Sequence, residues 1–371
     1  SVNPSQGIQG QTENVTITGS YFTGATSVSF GADITVNSFT VDSDTQITAN
    51  ITIDGAATSG YRDVSVTTPE GTDAEVDGFM VVALPTLSTV SPSQAVQGEA
   101  LSVTITGADF FGVTTVGFGS GITVNSFTVD NSTQITASIA VSGSATVGTR
   151  DVSVTNAAGT ATLTSGFTVN QAPPAIASVN PSQGIQGQTD NVTIIGSYFT
   201  GATAVDFGLG ITVNSFTVDN ATQITVSITI DMAATAGHRD VSVTTPGGTD
   251  TLTDGFLVVA MPTITSVSPA QGIQGQVLSV IITGTNLFGV TTVGFGSGVT
   301  VNSFNVDSGT QITASIAVSG SAIVGARDVS VTNAAGTATL TNGYMVNQAP
   351  PTITSVNPNQ EVQGGTLDVT I

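Results

Sequence analysis

Short runs of alternating apolar and polar residues recur along the whole chain, and none has a helical period of useful length. Leu101, Val103 and Ile105, for example, fall on one face of an extended segment, which is typical of a half-buried strand. Seven such short runs, separated by turn residues, predict an all-β fold built as a two-sheet sandwich. In residues 86–170 the predicted strands are 86–90, 101–106, 115–118, 122–127, 134–141, 150–155 and 161–169.

Two glycine- and proline-bearing segments of this stretch are predicted to be turns. Residues 92–98 follow the first strand and contain Pro92 and Gly98. Residues 119–121, Gly-Ser-Gly, are interpreted as the tight turn of a hairpin between strands 115–118 and 122–127.

The pattern repeats along the chain, marked by the phrase Ser-Val-Asn-Pro or a close variant. Its prolines stand at positions 4, 92, 181, 269 and 358, one every 88 or 89 residues. A period of this length predicts an array of small domains. The predicted immunoglobulin-sized repeats are 1–84, 85–172, 173–261 and 262–349, with 350–371 as the opening strands of a fifth.

A longer period of 177 residues lies over the first. Repeats one and three are near copies of each other, as are two and four, so the true repeating unit is a pair. The linkers between repeats are short and end in proline, which restricts itself and the residue before it. We therefore expect an extended rod with limited bending.

The charge balance excludes several classes of partner. The chain has 25 acidic residues against 4 basic ones, all arginine, and a net charge of −21. Nucleic acids and anionic membrane surfaces are bound through Lys/Arg clusters, so neither is an expected partner. With no cysteine, the repeats have no disulfide and must be stabilised by their cores. No apolar run is long enough to span a membrane.

The second repeat contains the motifs Val-Gly-Phe-Gly at 116–119, Thr-Gln-Ile-Thr-Ala at 133–137 and Arg-Asp-Val-Ser-Val-Thr at 150–155. With these motifs the repeats resemble the IPT/TIG family of immunoglobulin-like domains. The resemblance implies an early-set immunoglobulin-like sandwich. It also implies a setting in secreted or cell-surface proteins, and it transfers no catalytic residues.

Aromatic residues recur at equivalent positions and are predicted to belong to the cores rather than to a ligand platform. The three sets are Phe30, Phe118, Phe207 and Phe295; Phe39, Phe127, Phe216 and Phe304; and Phe79, Phe167, Phe256 and Tyr344.

The few residues with candidate chemistry also have structural interpretations. Each arginine (Arg62, Arg150, Arg239 and Arg327) precedes Asp-Val-Ser-Val, and we expect it to face the core rim and bind loop carbonyls or a carboxylate, without pairing to the adjacent aspartate. An interface contact is the alternative. His238 is replaced by Tyr, Thr and Ala at the equivalent positions, which argues against a catalytic base. Asp42, Asp44, Asp219 and Asp307 suit a calcium ion, but solvated turns are the favoured interpretation. We therefore assign no catalytic, cofactor-binding or metal residues.

These observations favour a non-enzymatic structural protein that is secreted or at the cell surface, either the stalk of an adhesin or the body of an extracellular filament. The alternative is an array of glycan- or protein-binding modules, and a third is an accessory region of a secreted enzyme. Expected partners are further repeats of the same chain and neighbouring copies in a filament.

The last segment cannot form a sandwich by itself. Its apolar residues, Ile353, Val356, Leu367, Val369 and Ile371, lack partner strands. We expect either that the array continues or that these strands complete a sandwich in a neighbouring copy, and the first explanation is favoured.

Small-angle scattering tests the predicted rod. Proline-bearing linkers should hold the repeats in line, each sandwich adding about 35–45 Å to the maximum dimension. A compact particle would contradict this expectation.

Overall fold

The computed structural model describes residues 1–357, 359–360, 363–366 and 368–369. These residues form strands and turns without a helix, so none of them lies in a helix able to cross a membrane. The chain divides into two compact units, Ser1–Ala172 and Pro173–Ile371. Each unit contains four four-stranded sheets, which confirms the prediction of an all-β, immunoglobulin-like fold.

The first unit holds two sets of eight strands. The first set is β1 (Val2–Asn3), β2 (Gln6–Ile8), β3 (Thr12–Thr18), β4 (Ser27–Ser29), β5 (Ile34–Ser43), β6 (Gln46–Ile53), β7 (Gly60–Thr68) and β8 (Gly71–Val82). The second set is β9 (Thr86–Ser91), β10 (Gln94–Val96), β11 (Ala100–Ala108), β12 (Thr115–Gly117), β13 (Ile122–Asn131), β14 (Gln134–Val141), β15 (Gly148–Asn156) and β16 (Gly159–Asn170).

The second unit has the same plan. Its first set is β17 (Ala175–Asn180), β18 (Gln183–Ile185), β19 (Thr189–Ser197), β20 (Ala204–Asp206), β21 (Ile211–Asn220), β22 (Gln223–Ile230), β23 (Gly237–Thr245) and β24 (Gly248–Val259). Its second set is β25 (Thr263–Ser268), β26 (Gln271–Ile273), β27 (Val277–Thr285), β28 (Thr292–Gly294), β29 (Val299–Ser308), β30 (Gln311–Val318), β31 (Gly325–Asn333) and β32 (Gly336–Asn347).

Each set of eight strands forms two sheets. In the first repeat their orders are β1-β3-β6-β5 and β2-β8-β7-β4. β2 runs parallel to β8, whereas the other pairs are antiparallel. Pro4 lies between β1 and β2, where the chain passes from one sheet to the other and no ladder hydrogen bond is needed from its nitrogen. The repeated Ser-Val-Asn-Pro phrase therefore marks the change of sheet.

Two turn predictions are wrong. Residues 94–96 lie inside the predicted turn 92–98 but form β10, which pairs with β16; three residues are too few to show a period. Residues 119–121 do not close a hairpin, because β12 pairs with β15 while β13 pairs with β14. That glycine-rich turn instead carries the chain between the two sheets, and each repeat has eight strands rather than seven.

One aromatic pair stands at the centre of each sandwich. Phe30 and Phe79 meet edge to face with ring centroids 5.3 Å apart, and both are fully buried. Phe118–Phe167, Phe207–Phe256 and Phe295–Tyr344 repeat this geometry at 5.3 Å. The core prediction is thus confirmed for two of the three aromatic sets. The third set, which includes Phe39 on edge strand β5, is half-buried and packs against the margin of the core.

The described residues after Asn347 form no strand. Ile353, Val356 and Val369 are exposed there, whereas Leu367 and Ile371 lie outside the described residues. The assignment of 350–371 to a fifth repeat, and the four repeat boundaries, stay predictions.

An acidic side chain is enclosed at the edge of the first core. Glu13 on β3 occupies the position of Leu101 and Leu278 in the second and fourth repeats. Its Oε1 atom is buried and has no hydrogen-bond partner among the described residues. Gly7 leaves room for it, since a Cβ atom there would lie 2.0 Å from Oε1. Burial raises the pKa of the Glu13 carboxyl above its ordinary value of 4.5.

The raised pKa predicts how stability depends on pH. The cost of burying the charge is absent below pH 4.5 and grows as pH rises through the folded-state pKa. Glu13→Gln should therefore raise the unfolding midpoint of the first repeat by a few degrees at pH 7 and have less effect at pH 4. Glu70→Gln, which removes the same charge from an exposed position, is the control. If both variants changed the thermal unfolding midpoint equally at pH 7, the cost assigned to burial of the Glu13 carboxylate would be contradicted.

Candidate functional site

One arginine in each repeat donates hydrogen bonds to two different loops. In the second repeat, Arg150 Nε donates to the Ser120 carbonyl at 3.1 Å, and Nη2 donates to the Thr146 carbonyl. The first loop follows β12 and the second precedes β15. Arg62, Arg239 and Arg327 make the equivalent bonds. The predicted structural role of the arginines is confirmed.

The aspartate after each arginine stabilises a β-bulge. The ladder between β15 and β16 shifts register between Arg150 and Val152, so Asp151 has no opposite residue. Its Oδ1 accepts a hydrogen bond from the Ser165 backbone N–H at 2.8 Å, where Ser165 has a φ of 53°. The same bond joins Asp63 to Asp77, Asp240 to Asp254 and Asp328 to Asn342. As predicted, adjacent arginine and aspartate side chains have separate partners.

The candidate calcium ligands accept hydrogen bonds from nearby side chains, which for three of the four belong to the same hairpin. Asp219 Oδ2 accepts from Gln223 at 3.0 Å and Thr225 at 2.7 Å, and these bonds lower the pKa of the Asp219 carboxyl. Asp42 and Asp307 have equivalent bonds, while Asp44 accepts from the Thr23 hydroxyl. In the described part of the chain, no three His, Cys, Asp or Glu residues are grouped as a metal site. Calcium binding gains no support from this arrangement.

The most elaborate polar and aromatic cluster lies where the first two repeats meet. Phe111, in the loop after β11, lies over Gly60 at the start of β7, where a Cβ atom would be 3.5 Å from the ring. Its ring also meets Tyr61 edge to face, with centroids 6.3 Å apart. Asp109 Oδ1 accepts a 2.5 Å hydrogen bond from the Ser59 hydroxyl. Side chains of the second repeat thus contact the start of β7 in the first repeat and the loop before it.

A buried amide fixes the linker at the same junction. Asn156, at the end of β15, is only 5% exposed. Its Nδ2 donates to the linker carbonyl of Ala83 at 2.8 Å and to the Phe111 carbonyl at 3.2 Å. One side chain thereby joins the linker, the Phe111 loop and the second sandwich. Buried hydrogen bonds of this kind are costly to break, since the carbonyls left behind lose their partners.

The second unit builds the same junction from its own residues. Phe288 meets His238 edge to face at 5.6 Å, and the Asn333 amide donates to the Ala260 carbonyl at 2.9 Å. Asn286 donates to the Met261 carbonyl at 2.9 Å. The chain's one histidine is therefore a junction residue beside an aromatic ring.

Sequence reasoning missed this junction, although the signal was present. Phe111 and Phe288 replace Thr23 and Thr200 of the first and third repeats, while Asn156 and Asn333 replace Thr68 and Thr245. Both differences follow the 177-residue period. Two of the positions that distinguish the two kinds of repeat are thus occupied by residues that join them.

Residues 1–79 match the IPT/TIG domain family. The other three repeats share the strand plan and the motifs of this matched stretch, which is consistent with tandem IPT/TIG repeats. No curated protein matches the sequence.

Several solved structures are similar in fold. A protein crystallised with a xylogluco-oligosaccharide is 19% identical, with a TM-score of 0.35 over 70% of this chain and 59% of that chain. The plexin A4 extracellular region is 11% identical, with a TM-score of 0.27 over 94% and 48%. The N-terminal eight Ig domains of Down syndrome cell adhesion molecule are 14% identical, with a TM-score of 0.30 over 93% and 48%. The chain therefore spans between 48% and 59% of the length of these proteins.

The arginine contacts predict resistance to trypsin. The chain has four cleavage sites, and each arginine is half-buried and bonded to loop carbonyls within a paired strand. Folded protein should survive conditions that cleave the denatured chain completely. Rapid cleavage of the folded chain at Arg62 or Arg150 would contradict the assigned contacts.

Exchange of the junction aromatic provides a second test. Phe111→Thr introduces the residue that the first repeat carries at this position, so the loop should keep its fold while losing its contact with Gly60 and Tyr61. We expect a loss of about 1–2 kcal/mol in the unfolding free energy of the first unit, from partial burial of one aromatic ring. Thr23→Ser, at the equivalent position of the first repeat, is the control. Equal unfolding midpoints of Phe111→Thr and the parent chain would show that the contact has no stabilising role.

Proposed function

We propose that the chain is a non-enzymatic structural protein of the cell surface or extracellular space, forming an adhesin stalk or the body of a filament. The observation that carries this proposal is the buried amide of Asn156, repeated by Asn333, which fixes the linker to the following repeat. Domains joined by a free linker move independently unless their interface holds them. An interface of this kind limits bending, as a stalk or filament needs.

The chemistry of the remaining polar residues supports the same conclusion. The arginines bind loop carbonyls, the aspartates beside them support bulges, and His238 packs against Phe288. These residues, which carried the candidate chemistry of the sequence, thus have structural partners among the described residues. With a net charge of −21, the array would repel anionic surfaces and its own neighbours except where specific contacts form.

The glycan- or protein-binding alternative stays a prediction. Binding of sugars or proteins is favoured by exposed aromatic residues. Tyr61 is one of the exposed aromatics, at 55%, but its ring already contacts Phe111 in the junction. This contact argues against Tyr61 as a binding residue.

Imaging of the native protein tests the proposal. An antibody against the first repeat should label thin stalks or continuous fibres outside the cell. Label confined to the cell interior, or a compact enzyme particle carrying the label, would contradict the structural function.

A further inference from the structure

Several asparagines of the chain begin the triplet Asn-x-Ser/Thr, which is the acceptor sequence for N-linked glycans. They are Asn14, Asn50, Asn131, Asn191 and Asn220. Threonine is abundant in this sequence, so the triplet alone is a weak signal and the surroundings of each asparagine decide whether it suits a glycan. The fold separates these asparagines into two groups.

Asn131 and Asn220 lie at the tips of equivalent hairpins in the second and third repeats. Asn131 ends β13 and pairs with Gln134 of β14, so that Ser132 and Thr133 form a two-residue turn. Asn220 ends β21 in the same way. Both asparagines are exposed. A glycan at either tip extends into solvent without displacing a strand.

The turn folds each of these asparagines back onto the threonine of its own triplet. Asn131 Oδ1 accepts hydrogen bonds from the backbone N–H and the hydroxyl of Thr133, both at 2.8 Å. Asn220 Oδ1 accepts the same two bonds from Thr222, at 2.8 and 2.7 Å. These bonds engage the oxygen of each side-chain amide and leave Nδ2, the atom to which a glycan is attached, accessible. The two side chains that define the acceptor triplet are therefore in contact beside an accessible nitrogen.

The remaining asparagines lie on the faces of sheets. Asn14 on β3 and Asn50 on β6 stand opposite each other on the two central strands, and Asn50 Nδ2 donates to Asn14 Oδ1 at 2.7 Å. Asn191 lies opposite Ser227 on the equivalent central strands β19 and β22. An extended strand holds residues i and i+2 about 6.5–7 Å apart, so it separates the asparagine of each triplet from its threonine. The hairpin tips are thus the favoured acceptors.

We propose that Asn131 and Asn220 carry N-linked glycans. The donor is a glycan whose anomeric carbon is joined to the phosphate of a lipid carrier, and a membrane transferase catalyses the step. A bond forms between the asparagine Nδ2 and the anomeric carbon, the bond from that carbon to the phosphate oxygen breaks, and Nδ2 loses a proton to a base of the transferase. The proposal rests on the cell-surface or extracellular setting proposed above and adds a modification to it.

The position of these glycans has a consequence for assembly. β13 and β21 are edge strands of their sheets, each 10 residues long, and neither has a charged residue before Asp130 or Asp219. Long uncharged edges invite pairing with strands of neighbouring chains. A glycan on the last residue of such a strand hinders the approach of another strand and so opposes side-by-side association.

Mass-spectrometric mapping of glycopeptides from the native protein tests the proposal. The peptides that contain Asn131 and Asn220 should carry sugar on these residues. Thr133→Ala, produced in the cells that make the native protein, should lose the glycan at Asn131 and keep the one at Asn220. Asn131→Gln should have the same effect without removing the threonine. The glycan at Asn220 is the internal control, because it shows that each variant has passed through the same export and transfer steps.

The fourth repeat provides a variant that completes the acceptor triplet. Its hairpin has Ser308, Gly309 and Thr310 at the equivalent positions. Ser308 Oγ accepts a hydrogen bond from the Thr310 backbone N–H at 3.2 Å, so the turn resembles that of the second repeat. Ser308→Asn should therefore add a third glycan.

The proposal is overturned if the peptides of Asn131 and Asn220 carry no sugar, if sugar is found on the sheet-face asparagines instead, or if Ser308→Asn adds none. Unglycosylated protein in labelled surface stalks would overturn the glycan sites alone and leave the structural function intact. Glycosylated protein confined to the cell interior would support the sites and contradict the structural function.

Discussion

Burial of one edge-to-face aromatic pair between two sheets is the interaction on which each repeat depends. The chain has no disulfide, and a domain of this size has little apolar surface to spare. Phe30 directly follows β4 and Phe79 lies on β8, so their contact at 5.3 Å joins distant parts of the first repeat in the sequence. Removal of such a ring from a core costs about 3–5 kcal/mol. The same pair recurs in all four repeats, including the one in which tyrosine replaces phenylalanine.

In the fourth repeat, the residues around the aromatic pair leave space for one additional atom. Tyr344 adds a hydroxyl to the ring, and Gly272 on β26 leaves space for it, since a Cβ atom there would lie 2.3 Å from the oxygen. Burial raises the pKa of that hydroxyl. Around this common centre, the residues at the repeat ends are free to differ. Phe111 and Asn156 lie at such an end and contact the preceding repeat or its linker. The chain is therefore an array of paired repeats rather than of equivalent single repeats.

The sequence predicted what short-range periodicity controls. Alternation of Leu101, Val103 and Ile105 identified a strand, and repetition of the proline phrase identified the array. Prediction from the sequence failed where a residue's contacts are made by residues far away in the chain. The three residues of β10 have no period of their own, and the turn at 119–121 could not reveal that its flanking strands pair with different partners. Phe111 lies between two predicted strands, and its partner Gly60 belongs to another repeat, so comparison of alternating repeats was needed to find the contact.

The contacts of Phe111 and Asn156 are expected to hold the two repeats of a pair in one orientation. Residual dipolar couplings of residues 1–172 test it most directly, because they report the orientation of each sandwich separately. A single alignment tensor should fit the amide couplings of both repeats, with equal magnitude and axes. Two tensors that differ in magnitude would show that the repeats reorient independently and would contradict the account.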